Sequence, residues 1–341
     1  MPSLAAPFSL QGPLRLRAMS ATRLLWALMT VSLRRGLRGP RFPSWSFAFE
    51  AGTAFLRCQD RAVRRLTGPA AVKESRALID SLVFRLPDAA RVVCAHETKA
   101  PVPATWFIAE RPGPTILYLH GGGYVFYPKM TANLIAAFAR AAGGRMLVPN
   151  YRLAPEHPFP AALEDAVAAY RWLIEADALA SDVFVAGDSA GGHLALCLAL
   201  ALQEQGIAKP AGVIAISPWT DPANGGASMQ TNACHDWMSP ETADKLAGWA
   251  AGRDDQVRPP LYDRLERDLG RLPPVLVHCG EVEICRDMIV AFCDRAASSG
   301  ADIRCTIWPE MTHNFHGFGN LAACAPAALE AIGRFVREHR V

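Results

Sequence analysis

The stretch Val183 to Leu200, VFVAGDSAGGHLALCLAL, constrains this chain more than any other. It opens on a β-branched and aromatic run of strand length, Val183 to Ala186, and leads into an apolar, proline-free run of helix length, His193 to Gln203. A glycine-pinched turn lies between them. In Gly187-Asp188-Ser189-Ala190-Gly191, small residues two before and two after the serine let strand and helix approach closely while Ser189 takes a strained turn conformation. Such a bend pushes the hydroxyl into the open. It also aims the first N–H groups of the following helix at the same point, where they stabilise developing negative charge. The pentapeptide alone would suit an ordinary turn, and the flanking runs are what give it meaning.

Downstream and upstream, the same strand-then-helix rhythm recurs. Thr115 to His120, Arg145 to Asn150, Gly212 to Ser217, Pro273 to Gly280 and Ile303 to Trp308 read as strands. Thr115 to His120 is the near-continuous apolar run that doubly covered parallel strands display. Helices are predicted at Met130 to Ala142, Ala161 to Ala176, Arg286 to Ser298 and Pro326 to Arg340, the last with its proline in the first turn. Two short segments, Ala90 to His96 and Pro103 to Glu110, suit an edge hairpin. The rhythm lapses over Pro218 to Pro260, which suggests an insertion. Alternation of this kind predicts an α/β fold: a mostly parallel central sheet with helices on both faces.

Charge is unevenly spread. The first eighty residues carry thirteen Lys and Arg against four Asp and Glu, although the whole chain of 341 residues has a net charge of only +3. Within this basic region Leu24 to Leu33 is apolar and flanked by Arg15, Arg17, Arg23, Arg34, Arg35 and Arg38. It is too short to span a bilayer, and Arg34-Arg35-Gly36 stands where a secretory cleavage site would want small residues. The segment reads as an amphipathic helix, with Met1 to Arg17 loose before it. A helix of this composition suits weak contact with an anionic membrane surface, although a solvated accessory region is the plainer reading. From Pro43 to Arg65 the apolar residues Trp45, Phe49, Phe55 and Leu56 recur with helical spacing, and Gly68-Pro69 ends the pattern. Nine scattered cysteines with no C-x-x-C pair favour free thiols in a reducing compartment, and hence the cytoplasm. No zinc-ligand spacing is present, so neither a metal nor a cofactor is expected, and no nucleic-acid partner. A homodimer is compatible with the sequence.

Serine is a weak nucleophile unless a base, an orienting acid and oxyanion donors surround it. His120-Gly121-Gly122-Gly123-Tyr124 directly follows a predicted strand, and bare glycine N–H groups there can close around a substrate oxygen. The N–H groups of Gly121 and Gly122, with that of Ala190, are the expected oxyanion hole. For the base, His313 and His316 both lie just past the last strand, and His313 is preferred. His278 reads as a core residue and His193 as facing away. For the acid, the loop after Gly280 offers Glu281, Glu283 and Asp287. Glu283 is preferred over Asp287, which could equally cap the next helix.

Taken in order, these blocks resemble the hormone-sensitive-lipase-like esterases of the α/β-hydrolase superfamily, often called bacterial family IV. The resemblance runs from about Pro114 to the C-terminus. His120-Gly121-Gly122-Gly123-Tyr124 is similar to that family's HGGG box, Gly187 to Gly192 to its GDSAGG elbow, and Tyr151 to Glu156 to its YRLAPE segment, whose charged pair is read as structural. Leu272 to Val277 and Met311 to Phe315 are similar to the segments that carry its acid and its histidine. Most members have aspartate where Glu283 stands, which leaves Asp287 as an alternative, and His316-Gly317-Phe318 keeps His316 in play. The resemblance implies a serine hydrolase acting through an acyl-enzyme on small-molecule esters of short to medium acyl length. Amides or lactones are alternative substrates for the same triad. Hormone receptors of similar fold lack the histidine, so the presence of His313 and Glu283 argues against a receptor. It also implies a helical cap, built from residues 1–82 and an insertion at 219–261, over a catalytic domain of 83–218 and 262–341.

Overall fold

In the computed structural model, which describes residues 8–84, 92–176, 179–252 and 264–340, eight strands form one sheet in the order β3-β4-β6-β5-β7-β8-β9-β10. They are β3 (Val93–Glu97), β4 (Ala104–Ile108), β5 (Thr115–Leu119), β6 (Arg145–Pro149), β7 (Val183–Asp188), β8 (Gly212–Ile216), β9 (Val275–Gly280) and β10 (Ile303–Trp308). β3–β4 and β4–β6 pair antiparallel and every later pair is parallel, so the predicted edge hairpin and mostly parallel sheet are both present.

Side chains on the central strands alternate between two cores, as a period of two requires. Leu117 and Leu119 of β5, Val183 and Val185 of β7, and Val213 and Ala215 of β8 enter one cluster, shared with α5 (Ala161–Ala176), α6 (Ala190–Glu204) and α9 (Arg286–Ser298). Ile116, Tyr118, Phe184, Ala186, Ile214 and Ile216 enter the other, against α4 (Thr131–Ala142) and α10 (Ala325–His339). Both faces are buried, so these strands read as unbroken apolar runs.

Three helices precede the sheet: α1 (Leu14–Arg38), α2 (Phe47–Arg65) and α3 (Ala71–Ile79). The Ser46 hydroxyl caps α2 by accepting from the Phe49 N–H at 3.1 Å. Of the segment Met1 to Arg17, expected to be loose, residues 1–7 lie outside the described residues, and residues 8–17 carry β1 (Phe8–Leu10) and the first turn of α1. β1 pairs antiparallel with β2 (Leu82–Phe84), a partner so distant in the chain that no local pattern discloses it. Trp45 and Phe49 pack with Met311 and Phe315, which ties the start of α2 to the loop after β10. In the 218–260 region, where the rhythm lapses, lie α7 (Ser228–Thr231) and α8 (Pro240–Ala251), the latter capped by Ser239 and begun by a proline. Residues 253–263, which include the end of that stretch, fall outside the described residues.

Candidate active site

Every expected site residue lies at the carboxyl ends of β5, β7, β9 and β10, where loops from a parallel sheet converge. Ser189 follows β7 directly with φ 55° and ψ −122°, a left-handed conformation that a side chain adopts only under constraint. The constraint is visible in its neighbours. The Ser189 N–H donates to the Ile216 carbonyl at 2.9 Å, its carbonyl accepts from the Trp219 N–H at 3.0 Å, and α6 begins at the next residue. A Cβ on Gly191 would stand 2.0 Å from the Leu119 carbonyl oxygen, and one on Gly187 would stand 2.2 Å from that of Gly191. Only glycine fits at either position.

His313 and Glu283 lie side by side, though beyond hydrogen-bond distance of each other. The imidazole Nδ1 lies 3.8 Å from Glu283 Oε2, and both side chains are buried. That oxygen is held at the same time by the Ser217 hydroxyl, which donates to it at 2.6 Å. The backbone N–H of Asn314 donates to the Ser217 hydroxyl at 3.2 Å, so Ser217 links the acid to the histidine loop. Burial pushes the Glu283 carboxyl up to about 8 and holds His313 down to about 3, which leaves the imidazole neutral at neutral pH, as a proton acceptor must be.

The rivals are placed elsewhere. Asp287 sits in the first turn of α9, accepts from the Ser228 N–H at 2.8 Å and pairs with Arg286 at 2.9 Å. His316 Nε2 lies 3.0 Å from His278 Nδ1 with the rings stacked, so these two histidines form a buried pair of their own. His193 is buried on α6, its Nδ1 2.6 Å from the Tyr124 hydroxyl. In the YRLAPE segment, Arg152 pairs with Asp165 and Glu164 of α5, and Glu156 with Arg76 of α3, so its charges tie this loop to two helices.

One expected oxyanion donor is committed to another partner. The Gly121 N–H donates at 2.9 Å to Asp188 Oδ1, a buried contact that withdraws it from a substrate oxygen. By contrast, the N–H groups of Gly122, Gly123 and Ala190 have no hydrogen-bond partner among the described residues. Gly122 has φ 116°, and a Cβ there would lie 2.2 Å from the Phe126 carbonyl oxygen, so the loop can take this shape only with glycine. Among the described residues no group of three or more His, Cys, Asp and Glu side chains could hold a metal ion.

The alpha/beta hydrolase fold family matches residues 116–317, which span the elbow, the glycine loop, Glu283 and His313. The chain belongs to the α/β-hydrolases. This hydrolase is similar to an acetyl-hydrolase of Streptomyces hygroscopicus, 40% identical over 67% of this chain and 77% of that protein. It is similar also to a crystal structure of an esterase from the bacterial hormone-sensitive lipase family, with 35% identity and a TM-score of 0.74 over 85% of this chain and 98% of the other. A third is EstE5 soaked with p-nitrophenyl butyrate, with 33% identity and a TM-score of 0.73 over 83% and 98% of the two chains. The hydrolase is thus a carboxylic ester hydrolase of the hormone-sensitive-lipase-like group.

Three buried residues of this α/β-hydrolase escaped the sequence reading. Asp188 Oδ1 accepts from the Tyr118 hydroxyl at 2.8 Å as well as from Gly121, and its Oδ2 accepts from the Asn314 side-chain amide at 2.8 Å. One carboxylate thereby binds the glycine loop, the elbow and the histidine loop, and burial raises it to about 6. Asp236 works from the opposite side. Its Oδ1 accepts from the N–H groups of Trp237 at 2.8 Å and His313 at 3.1 Å, its Oδ2 from that of Ile284 at 2.9 Å. Ser217, with φ 43°, is the third. The GDSAG motif contains Asp188 and could have pointed to it; Asp236 and Ser217 carry no local signal.

Proposed function

We propose that Ser189 attacks the ester carbonyl, that His313 takes its proton and passes it to the leaving alcohol, and that Glu283, in the ionised form that burial confines to the alkaline side of about pH 8, orients the imidazole and stabilises the imidazolium. An acyl-enzyme on Ser189 is then hydrolysed by water activated in the same way. The oxyanion is received by the N–H groups of Gly122, Gly123 and Ala190, three donors that the fold leaves unpaired. The observation that carries this reading is the lacing of the two loops: Asn314, beside His313, donates at 2.8 Å to Asp188, beside Ser189, while Glu283 reaches the same histidine. Residues of α1, α2 and the 219–252 segment act as a cap, a role supported by the Arg57 side chain donating to the Ala233 carbonyl at 2.7 Å and by Trp237 Nε1 donating to the His313 carbonyl at 2.7 Å. Short to medium acyl esters are the substrates, in keeping with the acetyl-hydrolase relative and the butyrate-soaked neighbour. Nine cysteines, none of them in a disulfide, suit a reducing compartment, the cytoplasm.

The test is Ser189→Ala with a series of p-nitrophenyl esters. Hydrolysis falls at least about 10³-fold, with the fold unchanged by circular dichroism, and a fluorophosphonate probe labels Ser189 in the parent chain only. Wild-type turnover in the variant, or labelling at another residue, would sink the assignment.

A further inference from the structure

Helix α1 is amphipathic the wrong way round for a helix facing water. Its buried residues are Ser20, Ala27 and Val31, whereas Leu25, Trp26, Met29, Leu33 and Leu37 point outward and are between 53% and 75% exposed. At about 100° per residue those five occupy roughly a third of the helix circumference, so they form one continuous apolar stripe. No acidic residue occurs in Leu14–Arg38, and six arginines do.

Beside the stripe, between α1 and α2, lies a cavity of about 340 Å³ whose lining includes Trp26, Arg34, Arg41, Glu50, Arg57 and Arg61. Its one carboxylate, Glu50, is already paired with Arg34 and Arg35. Arg41 and Arg57 each donate to a backbone carbonyl, of Cys234 at 3.0 Å and of Ala233 at 2.7 Å, which fixes the guanidiniums without neutralising them. Burial, and then the neighbouring Arg41 charge, depresses the Arg57 guanidinium. Gathering Arg41, Arg57 and Arg61 costs free energy that the buried Asp236 beside Arg57 offsets only in part and that a bound anion would offset further. Trp26 belongs to both the stripe and the cavity, so the two features face a single ligand that is apolar and anionic at once.

We propose that the outer face of α1 docks on an anionic phospholipid surface, with the stripe seated among acyl chains and a lipid phosphate received by Arg41, Arg57 and Arg61. Among the described residues no helix is long and apolar enough to cross a membrane, so α1 lies on the surface. A second copy of the chain suits the face poorly, because it would bring two sets of six arginines together. The site is separate from Ser189, and the proposal does not depend on the catalytic assignment.

Co-sedimentation of the full chain with vesicles of phosphatidylcholine, with and without phosphatidylglycerol, tests it. The chain should pellet with the phosphatidylglycerol vesicles only, and added salt should release it. Leu33→Asp, at an exposed position, should weaken binding by about tenfold or more. Arg41→Ala with Arg61→Ala should weaken it by about 25-fold, roughly fivefold for each arginine. Circular dichroism and an unchanged Tm should report that these variants are folded, and Ser189→Ala should pellet like the parent. Equal binding to both vesicle types, no binding to either, or unchanged binding by Leu33→Asp and the arginine pair would overturn the proposal. So would light scattering that shows a lipid-free dimer broken by Leu33→Asp, since a second copy would then cover the stripe.

Discussion

Glu283 and Asp287 are four positions apart and chemically alike, yet Glu283 lies in the turn after β9 and Asp287 in the first turn of α9, and they do different work. Glu283 is fully buried beside His313, whereas Asp287 secures the start of α9 to Ser228. Glu283→Ala should therefore lower kcat by about 10³-fold or more with little change in KM. Asp287→Ala should keep its kcat and lose about 1 kcal/mol of stability, as read by urea unfolding. If Asp287→Ala is the variant that stops turnover, the acid has been misassigned. Spacing from Ser189 and His313 could bring both carboxylates forward as candidates but could not rank them by contact, because rank depends on which one the turn after β9 carries inward. The same limit explains Gly121: three glycines in a row look equivalent until the Asp188 carboxylate takes the first N–H.

At the scale of elements, the elbow is a contact between a strand and a helix that leaves no room for a methyl group. Gly191→Ala would press a Cβ to 2.0 Å from the Leu119 carbonyl, whereas Gly206, with φ 64°, has open space around it. Gly206→Ala should cost about 1 kcal/mol from its left-handed backbone alone, and Gly191→Ala should lower Tm far more or prevent folding. Equal shifts in thermal melts would refute this account of the bend. The loops after β9 and β10 are pinned by Asp236, which comes from the segment between β8 and β9. In Asp236→Asn one carboxylate oxygen becomes an NH₂ that must face an N–H donor, at a cost of about 1 to 3 kcal/mol. The freed His313 loop should then show as a lower kcat at similar KM; unchanged kcat would mean that the loop holds its place without Asp236.

At the scale of the whole molecule, burial of so many titratable groups makes stability depend on pH from both sides. Glu283 keeps its proton up to about pH 8 and Asp236 up to about pH 7 in the fold, whereas an unfolded chain gives up such protons near pH 4. Above about pH 6.5 the native state thus binds more protons than the unfolded one, and stability falls as pH rises towards 8. Below about pH 6.5 the buried histidines His120, His193, His278 and His313, each held down to about 3, remain neutral while the unfolded chain takes up protons, so stability falls again as pH drops. Tm should peak near about pH 6.5 in calorimetry across buffers. Glu283→Gln should flatten the alkaline limb, steepen the acid limb between about pH 4.5 and 6.5 and move the maximum to higher pH; a variant whose two limbs match the parent would show that Glu283 ionises normally.

Local pattern was enough to place the strands of the sheet and to bring Ser189 forward as the candidate nucleophile. An apolar run buried on both faces, a helix ended by glycine or begun by proline, and a serine between two obligatory glycines are local consequences of burial and backbone sterics, and β7, α6, Ala161–Ala176, Arg286–Ser298 and Ile303–Trp308 all lie where those rules put them. Contacts across the fold were needed to show that Ser217 bridges Glu283 to the histidine loop, that Asp236 holds that loop from a distant segment, and that α1 turns its apolar side outward. Each of these depends on which groups meet across the fold, and a hydrogen bond or a buried charge between residues far apart in the chain leaves no periodicity for the sequence to display.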